Sequence, residues 1–222
     1  NGITAMSNYG GEDYFYNRVY IDAFTINADG SGNKYPDARR RLFKLLDDGA
    51  LVFNYVGHGN PVSWTADGIL TLSDINSGLY YNHIPFLYTA TCDFSRLDAA
   101  DVSGGELVFL NRRGGAVALF STLRQVSISR NGDLTTSYGR QIFDRDEHGQ
   151  FRRIGDICRL SKNAVNDDNK LRYILLGDPA MRLAYPTHHA VIETINGIEP
   201  TDDNMPEFKA RQVLNVRGSI YD

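Results

Sequence analysis

Apolar runs and apolar helical faces alternate along the first two thirds of the chain. One helical face begins at Ala38, after Pro36 and Asp37, and ends before Gly49. Proline at the start and glycine at the end are typical of helix termini. Residues 50–56 (ALVFNYV) and 84–91 (IPFLYTAT) are nearly unbroken apolar runs of strand length. Such runs are typical of strands that helices cover on both faces.

The same alternation continues to about residue 176. The pattern predicts a short strand at 18–22 (RVYID), a helix at 105–110, a strand at 116–120 (AVALF), and a further element at 171–176. A helical face is also predicted from the apolar spacing of Ile154, Ile157, Cys158, Ser161 and Val165. These elements predict an α/β fold with a sheet of four parallel strands flanked by helices. Residues 1–15 have no clear period, and we expect them to be irregular.

A change of pattern near Pro186 and the pair His188-His189 predicts a domain boundary, with one domain at 1–186 and another at 187–222. Residues 190–195 and 214–220 alternate as half-exposed strands do, and Asn196-Gly197 is a turn signal. We interpret this segment as the beginning of an immunoglobulin-like β-sandwich domain that is cut off at residue 222.

Composition excludes two classes of function. The 222 residues carry a formal net charge of −4, and Lys and Arg are scattered, so no basic field for nucleic acid is expected. No apolar run approaches the roughly 20 residues that span a bilayer, so no transmembrane segment is predicted. The two cysteines fit either one disulfide or two free thiols.

Two predicted strands end in reactive side chains. Residues 50–56 lead into Gly57-His58-Gly59, and residues 84–91 lead directly into Cys92. In an open parallel sheet, ligands bind outside the carboxyl ends of the strands, so His58 and Cys92 are expected to lie side by side. A thiolate attacks a carbonyl carbon, and an adjacent imidazole stabilises the thiolate and returns a proton. The N–H groups of Gly59 and Cys92 are candidate oxyanion donors.

Other interpretations compete with this dyad. Taken singly, a cysteine at a strand end is usually a small buried residue, and a histidine between glycines is usually a polar loop residue. A zinc site formed by His58, His83 and Cys92 is a further alternative, although neither C-x-x-C nor H-x-x-x-H spacing is present. A serine hydrolase is disfavoured because the chain has no G-x-S-x-G motif.

Four motifs in order, NYVGHG, TATCDFSR, GGAVALFST and LLGDPAMRL, resemble the gingipain family of cysteine peptidases, within the caspase-like clan. The resemblance covers Arg18 to about Tyr185 and is greatest to the sortases of the type IX secretion system. It implies a caspase-like fold and an endopeptidase or transpeptidase that acts on protein substrates, cleaves C-terminal sorting domains, and has other secretion-system proteins as partners. It also implies a location at the bacterial cell surface, in association with the outer membrane, or in the periplasm.

Carried over by motif, the resemblance places the general acid/base on His58, the nucleophile on Cys92 and oxyanion donors on Gly59 and Cys92. Four further residues are expected to line the substrate cleft: Trp64, Ser121, Thr122 and Arg124. The family's N-terminal portion has no recognised counterpart before about Arg18, so an acidic partner for the histidine is open, with Asp22 and Asp93 as candidates.

No cofactor is expected. Asp144, Asp146 and Glu147 are interpreted as an acidic surface turn, with a structural calcium loop of the kind seen in gingipain relatives as the alternative. A catalytically inactive caspase-like scaffold or adhesion module is the rival function. It would be favoured by loss of the dyad, and both dyad residues are present.

Overall fold

The structure is a computed structural model that describes residues 2–27, 34–201 and 203–221. The chain divides into two compact units, Asn1–Leu183 and Ala184–Asp222. The helices of the first unit are α1 (Gly2–Gly10), α2 (Pro36–Asp48), α3 (Leu72–Gly78), α4 (Gly104–Leu110), α5 (Ile128–Phe143) and α6 (Ile154–Asn163). Its strands are β1 (Val52–Val56), β2 (Gly59–Asn60), β3 (Ser63–Trp64), β4 (Leu70–Thr71), β5 (Phe86–Ala90), β6 (Ala118–Thr122) and β7 (Tyr173–Leu176).

The main sheet has the strand order β1-β5-β6-β7. Strands β1, β5 and β6 are parallel, and β7 is antiparallel to β6. Every residue of β5 and β6 is buried, as expected of central strands with both faces covered. The predicted α/β class, a parallel-rich sheet flanked by helices, is therefore confirmed.

Alternate residues of β5 enter two apolar layers. Leu87 belongs to the layer that contains Leu42 of α2 and Val108 of α4. Tyr88 faces the other way and stacks on Tyr138 of α5, with ring centroids 4.4 Å apart. This two-residue period is the direct consequence of strand geometry, and it explains why the run has no polar face.

Capping residues set the starts of two short helices. Thr71 and Asp74 form a capping box at α3, and Ser103 and Glu106 form another at α4. In each box, the side chain of the first residue accepts the backbone N–H of the second, whose carboxylate accepts the N–H of the first. Both helices are thereby fixed beside the loops that follow β1 and β5.

Three predictions, about the N-terminal part and the number of parallel strands, are wrong. Residues 18–22 form no strand; a 3-10 turn lies at Ile21–Ala23 instead. Residues 2–10, expected to be irregular, form α1, which packs against α5. The sheet has three parallel strands and not four, because residues 18–22, the first of the four predicted strands, form no strand. The further element predicted at 171–176 is β7, which runs antiparallel to β6.

The second unit contains β8 (His189–Ile195) and β9 (Val216–Tyr221), which pair antiparallel. The two predicted strands of this segment are confirmed, and Asn196 and Gly197 both have positive φ angles, as a tight turn requires. That these strands begin an immunoglobulin-like domain stays a prediction.

Candidate active site

The paired residues of β1 and β5 end just before His58 and Cys92. Val52 pairs with Phe86 and Val56 with Ala90, and the N–H of Gly57 donates to the Ala90 carbonyl at 3.2 Å. Two residues beyond Val56 lies His58, and two residues beyond Ala90 lies Cys92. Since neighbouring strands lie about 4.8 Å apart, this register brings the backbones of His58 and Cys92 to the same carboxyl edge of the sheet.

The loop after His58 folds into a small antiparallel sheet, β2-β3-β4. Its centre is Trp64, which is 1% exposed and stacks on Tyr55 of β1 with centroids 4.3 Å apart. The Tyr55 hydroxyl donates to the His58 carbonyl at 2.6 Å, and burial raises the pKa of Tyr55, so this donor stays protonated. The backbone that carries the imidazole is therefore anchored to β1.

A partly buried ion pair holds the same loop against α2. The Arg39 guanidinium donates to both carboxylate oxygens of Asp74 at 2.7 and 2.9 Å, and to the carbonyls of Gly68 and Ile69. Burial by itself would raise the pKa of Asp74, but the hydrogen bonds from Arg39 and Thr71 outweigh it and hold that pKa below its usual range. The carboxylate is therefore charged and able to keep the loop in place.

Gly59 makes the closest approach between the histidine loop and the cysteine strand. A Cβ at this position would lie 2.3 Å from Thr91 Oγ1 and 3.0 Å from the Ser63 carbonyl oxygen. Thr91 is fully buried and directly precedes Cys92. Glycine is required here because the backbone must come close to Thr91, not because of an unusual φ angle.

Cys92 is a free, half-buried cysteine whose sulfur faces the loop after β6. The N–H of Val126 lies 3.4 Å from Cys92 Sγ, and the Val126 carbonyl lies 3.6 Å from it. Within the described residues, the Cys92 N–H donates to no backbone carbonyl, whereas the N–H of Asp93 donates to Arg124 O at 3.3 Å. Cys158, by contrast, is a free, buried cysteine of α6, and burial raises its pKa to about 12.

Three of the four residues expected in the substrate cleft are buried supports. Trp64 lies under the histidine loop, as described. Ser121 accepts hydrogen bonds from Thr89 and Ser95, and Thr122 donates to the Thr91 carbonyl; both are 0% exposed. Their side chains brace the ends of β5 and β6 from inside. The sequence could not reveal this, because polar residues at strand ends are usually exposed.

Arg124 is the fourth, and it lies at the surface beside Cys92. It forms a bidentate ion pair with Asp98 at 2.8 and 3.0 Å, which lowers the pKa of that carboxyl. Arg124 lines a surface depression of about 400 Å³ with Asp93, Arg96, Gln125 and Arg172. A larger depression of about 480 Å³ is lined in part by His83, before the start of β5, and so belongs to the amino ends of the strands.

The structure separates the candidate zinc ligands. His83 precedes β5 and Cys92 follows it, so the strand's whole length lies between them. Among the described residues, no group of three or more His, Cys, Asp and Glu side chains is gathered. Neither Asp22, which is exposed, nor Asp93, which has a φ of 56°, hydrogen-bonds to His58 in the described part of the chain.

Two carboxylates of the acidic turn form ion pairs with arginines. Asp144 pairs with Arg152 at 2.8 Å, and Asp146 pairs with Arg182 at 3.1 Å while also accepting two backbone N–H groups. Glu147 is exposed. Hard cations need six to eight oxygen ligands, so carboxylates already engaged by guanidinium groups do not fit a calcium site.

Several residues of the site have no sequence signal. Val126 reaches Cys92 through its backbone, which any residue type could supply, and the buried amides Asn131 and Asn169 stand behind it. The spacing of Leu134, Tyr138 and Ile142 could have predicted α5, whose start follows Val126 by two residues.

No helix among the described residues is long and apolar enough to cross a membrane.

The chain resembles several solved structures. Gingipain R, described as an Arg-specific cysteine proteinase, matches with a TM-score of 0.59 at 14% identity over 69% of this chain and 39% of that one. A complex of the pro- and mature domains of RgpB from Porphyromonas gingivalis matches with a TM-score of 0.58 at 15% identity, over 69% and 40%. A structure described only as a protease matches at 0.59 and 15%, over 96% and 50%.

The chain thus spans half or less of the length of these proteins, and at such identities the likeness establishes the fold alone. No curated protein sequence matches the chain. The model of peptidase family C25 matches residues 2–184, so the family region begins well before Arg18 and includes α1. On this match, the chain belongs to peptidase family C25.

Proposed function

We propose that the chain is the catalytic part of a cysteine endopeptidase, with Cys92 as the nucleophile and His58 as the general acid and base. The observation that carries the proposal is the parallel register of β1 and β5, whose last pair, Val56 and Ala90, lies two residues before His58 and Cys92. Membership of peptidase family C25 supports the reaction class. Two contacts close to the reactive residues support it further. The Tyr55 hydroxyl of β1 donates to the His58 carbonyl, and the Val126 N–H contacts the Cys92 sulfur.

The reaction proceeds in two steps. The Cys92 thiolate forms a bond to the carbonyl carbon of the scissile peptide, and the carbonyl oxygen becomes an oxyanion that the N–H groups of Cys92 and Gly59 bind. The C–N bond then breaks as His58 donates a proton to the departing amine, leaving a thioester on Cys92. A second nucleophile gives its proton to His58 as it attacks the thioester, and the C–S bond then breaks to regenerate the starting pair, the Cys92 thiolate and a protonated His58.

The nucleophile in the second step decides the product. Water gives a new carboxylate, and a bound amine gives a new amide, with the same roles for Cys92 and His58. The resemblance of the four motifs to secretion sortases favours substrates that carry a C-terminal sorting domain, at the bacterial cell surface. A bound amine gains effective concentration over bulk water, so a transpeptidase needs only a second site close to the thioester.

The test uses a peptide that spans the junction between a secreted protein and its sorting domain, incubated with the purified protein and a surrogate amine. Mass spectrometry of the new C-terminus distinguishes acid from amide. Cys92→Ala and His58→Ala should each abolish product, while the matched variant Cys158→Ser should retain it, because Cys158 lies in the core away from the dyad.

Each outcome is decisive. Amide product supports the sortase reading, and acid alone at saturating amine restricts the protein to hydrolysis. Absence of product, together with failure of a peptide-based thiol-reactive probe to label Cys92, would leave the inactive scaffold as the better description.

A further inference from the structure

The loop at residues 123–127, here called the thiol loop, lies directly against Cys92. It contributes the N–H of Val126, 3.4 Å from Cys92 Sγ, and it accepts the N–H of Asp93 on the carbonyl of Arg124 at 3.3 Å. The Val126 carbonyl also accepts the Cys92 thiol at 3.6 Å, so the Val126 backbone contacts the sulfur through both of its polar groups and fixes where the sulfur lies. The position of the thiol loop therefore affects the reactivity of Cys92.

The thiol loop is held on its far side by the 3-10 segment Asp168–Arg172. The Leu123 N–H donates to the Arg172 carbonyl at 2.8 Å, and the Arg172 guanidinium donates to the Gln125 carbonyl. The N–H of Ser127, the last residue of the loop, donates to Asn169 Oδ1 at 2.9 Å. Asn169 is 4% exposed, whereas Arg172 lies at the surface.

Asn169 is itself fixed by a buried network. Its Nδ2 donates to Asn131 Oδ1 at 2.9 Å, and its backbone N–H donates to Asp167 Oδ1 at 2.7 Å. Asn131 Oδ1 also accepts the Tyr173 hydroxyl at 2.8 Å, and Asn131 Nδ2 lies 3.4 Å from the carbonyl of Ala90. Ala90 ends β5, two residues before Cys92.

These contacts close a ring. From Cys92 the ring passes to Val126 and Ser127, then to Asn169 and Asn131, and returns through Ala90 to Cys92. Both amide side chains in the ring are almost fully buried, and each uses its oxygen and its nitrogen. A satisfied buried network of this kind admits one arrangement, because any shift leaves a polar group without a partner.

We propose that Asn169 is a positioning residue that, through Ser127, holds the Val126 backbone against the Cys92 sulfur and so keeps the sulfur in the position from which it attacks. The role of Asn169 in catalysis rests on the proposed function, but its effect on the Cys92 thiol does not. Asn169 touches neither the sulfur nor the predicted substrate cleft. It acts only through the thiol loop.

The first measurement is the rate at which iodoacetamide alkylates Cys92 in the folded protein at neutral pH, followed by mass spectrometry of the Cys92 peptide. Asn169→Ala should slow alkylation by about tenfold, the effect expected when roughly one buried hydrogen bond that positions the sulfur is lost. Asn111→Ala is the matched control. Asn111 is a partly buried amide that donates to the Ile75 and Leu79 carbonyls, away from the thiol loop.

A second pair of variants tests the same contact without changing Asn169. Ser127 is exposed and has a φ of −84°, close to the value of proline, so Ser127→Pro deletes the N–H that Asn169 accepts. Ser127→Ala keeps that N–H and loses only the hydroxyl. The proline variant should slow alkylation, and the alanine variant should not. This pair decides the question if Asn169→Ala fails to fold.

Active-site titration separates positioning from a merely structural role. Positioning predicts an unchanged number of titratable Cys92 sites, with a lower kcat per site and an unchanged KM. A structural role predicts fewer sites with an unchanged kcat per site, and that result would overturn the proposal, as would unchanged alkylation in both Asn169→Ala and Ser127→Pro. If no peptide is cleaved but alkylation still slows, the peptidase proposal fails and the positioning role stands.

Discussion

Replacing Gly59 with alanine tests whether the close approach of the histidine loop to Thr91 determines the dyad. The new Cβ would lie 2.3 Å from Thr91 Oγ1, 3.0 Å from the Ser63 carbonyl oxygen and 3.3 Å from Thr91 Cβ. The first contact cannot persist, so one side must move. The φ angle of Gly59 is not positive, so the variant adds steric strain without backbone strain.

The histidine loop should be the side that moves. Thr91 is 0% exposed, and its carbonyl is held by the Thr122 hydroxyl, so the cysteine strand is fixed from within the core. His58 is exposed, and its loop is only half buried. Relieving the contact requires a displacement of about 1 Å, and a misplacement of that size at a reacting group can cost about 100-fold in rate, or about 2.7 kcal/mol.

Kinetics of peptide cleavage measure the loss, and a double-mutant cycle with Thr91→Ala identifies its cause. Among the described residues, Thr91 Oγ1 has no hydrogen-bond partner, so its removal alone should cost little. In the double variant the 2.3 Å contact is gone, and we expect at least a tenfold recovery of kcat/KM. Recovery should be incomplete because the contacts with the Ser63 carbonyl and Thr91 Cβ remain.

Gly132→Ala provides the matched control. Gly132 lies in α5, and a Cβ there would meet nothing within 4 Å. We expect unchanged kinetics and a gain of about 0.5–1 kcal/mol in the free energy of unfolding, because alanine is the better helix former. Full activity of Gly59→Ala would show that the contact with Thr91 does not position His58. A double variant no more active than Gly59→Ala alone would show the same.

Three further predictions concern the thiols, the ion pair and the buried indole. Cys92→Ala should remove all labelling of the native protein by a thiol reagent, while Cys158→Ser should leave the labelling unchanged. The reason is that Cys158 is 5% exposed and burial raises its pKa to about 12. An adduct on Cys158 of the native protein, seen by mass spectrometry, would contradict this. The Asp74 pKa lies below its unfolded value of 3.8, so this group stabilises the fold above that pH and ceases to do so as the pH falls through the folded pKa. Asp74→Asn should therefore cost about 2 kcal/mol near neutral pH, with the difference from the wild type vanishing in acid, as urea unfolding at several pH values would show; a constant difference would exclude the charge as its source. Trp64→Phe should lower the free energy of unfolding by less than the about 3–5 kcal/mol typical of Trp→Ala and leave KM unchanged, whereas a raised KM would show that the indole contacts substrate.

The apolar pattern alone predicted most of the sheet. The strands β1, β5 and β6, and the helices α2, α4 and α6, lie within two residues of where the periodicity places them. The reason is that burial on both faces leaves a strand no polar positions, and a helix on a sheet must keep one apolar face. The same pattern placed His58 and Cys92 at strand ends, since a glycine-flanked histidine and a cysteine directly follow the two longest apolar runs.

The tertiary structure alone decided the direction of β7 and the contacts that support the candidate active site. The antiparallel course of β7 depends on two helices packing together, and no residue within β7 encodes it. Trp64 and Ser121 are buried because distant segments cover them, as the stacking of Trp64 on Tyr55 and Phe94 shows. Val126 meets Cys92 through a backbone N–H, which carries no sequence signature. Contacts between segments far apart in the chain are decided by packing, and the local pattern of apolar and polar residues records only which face of each element is buried.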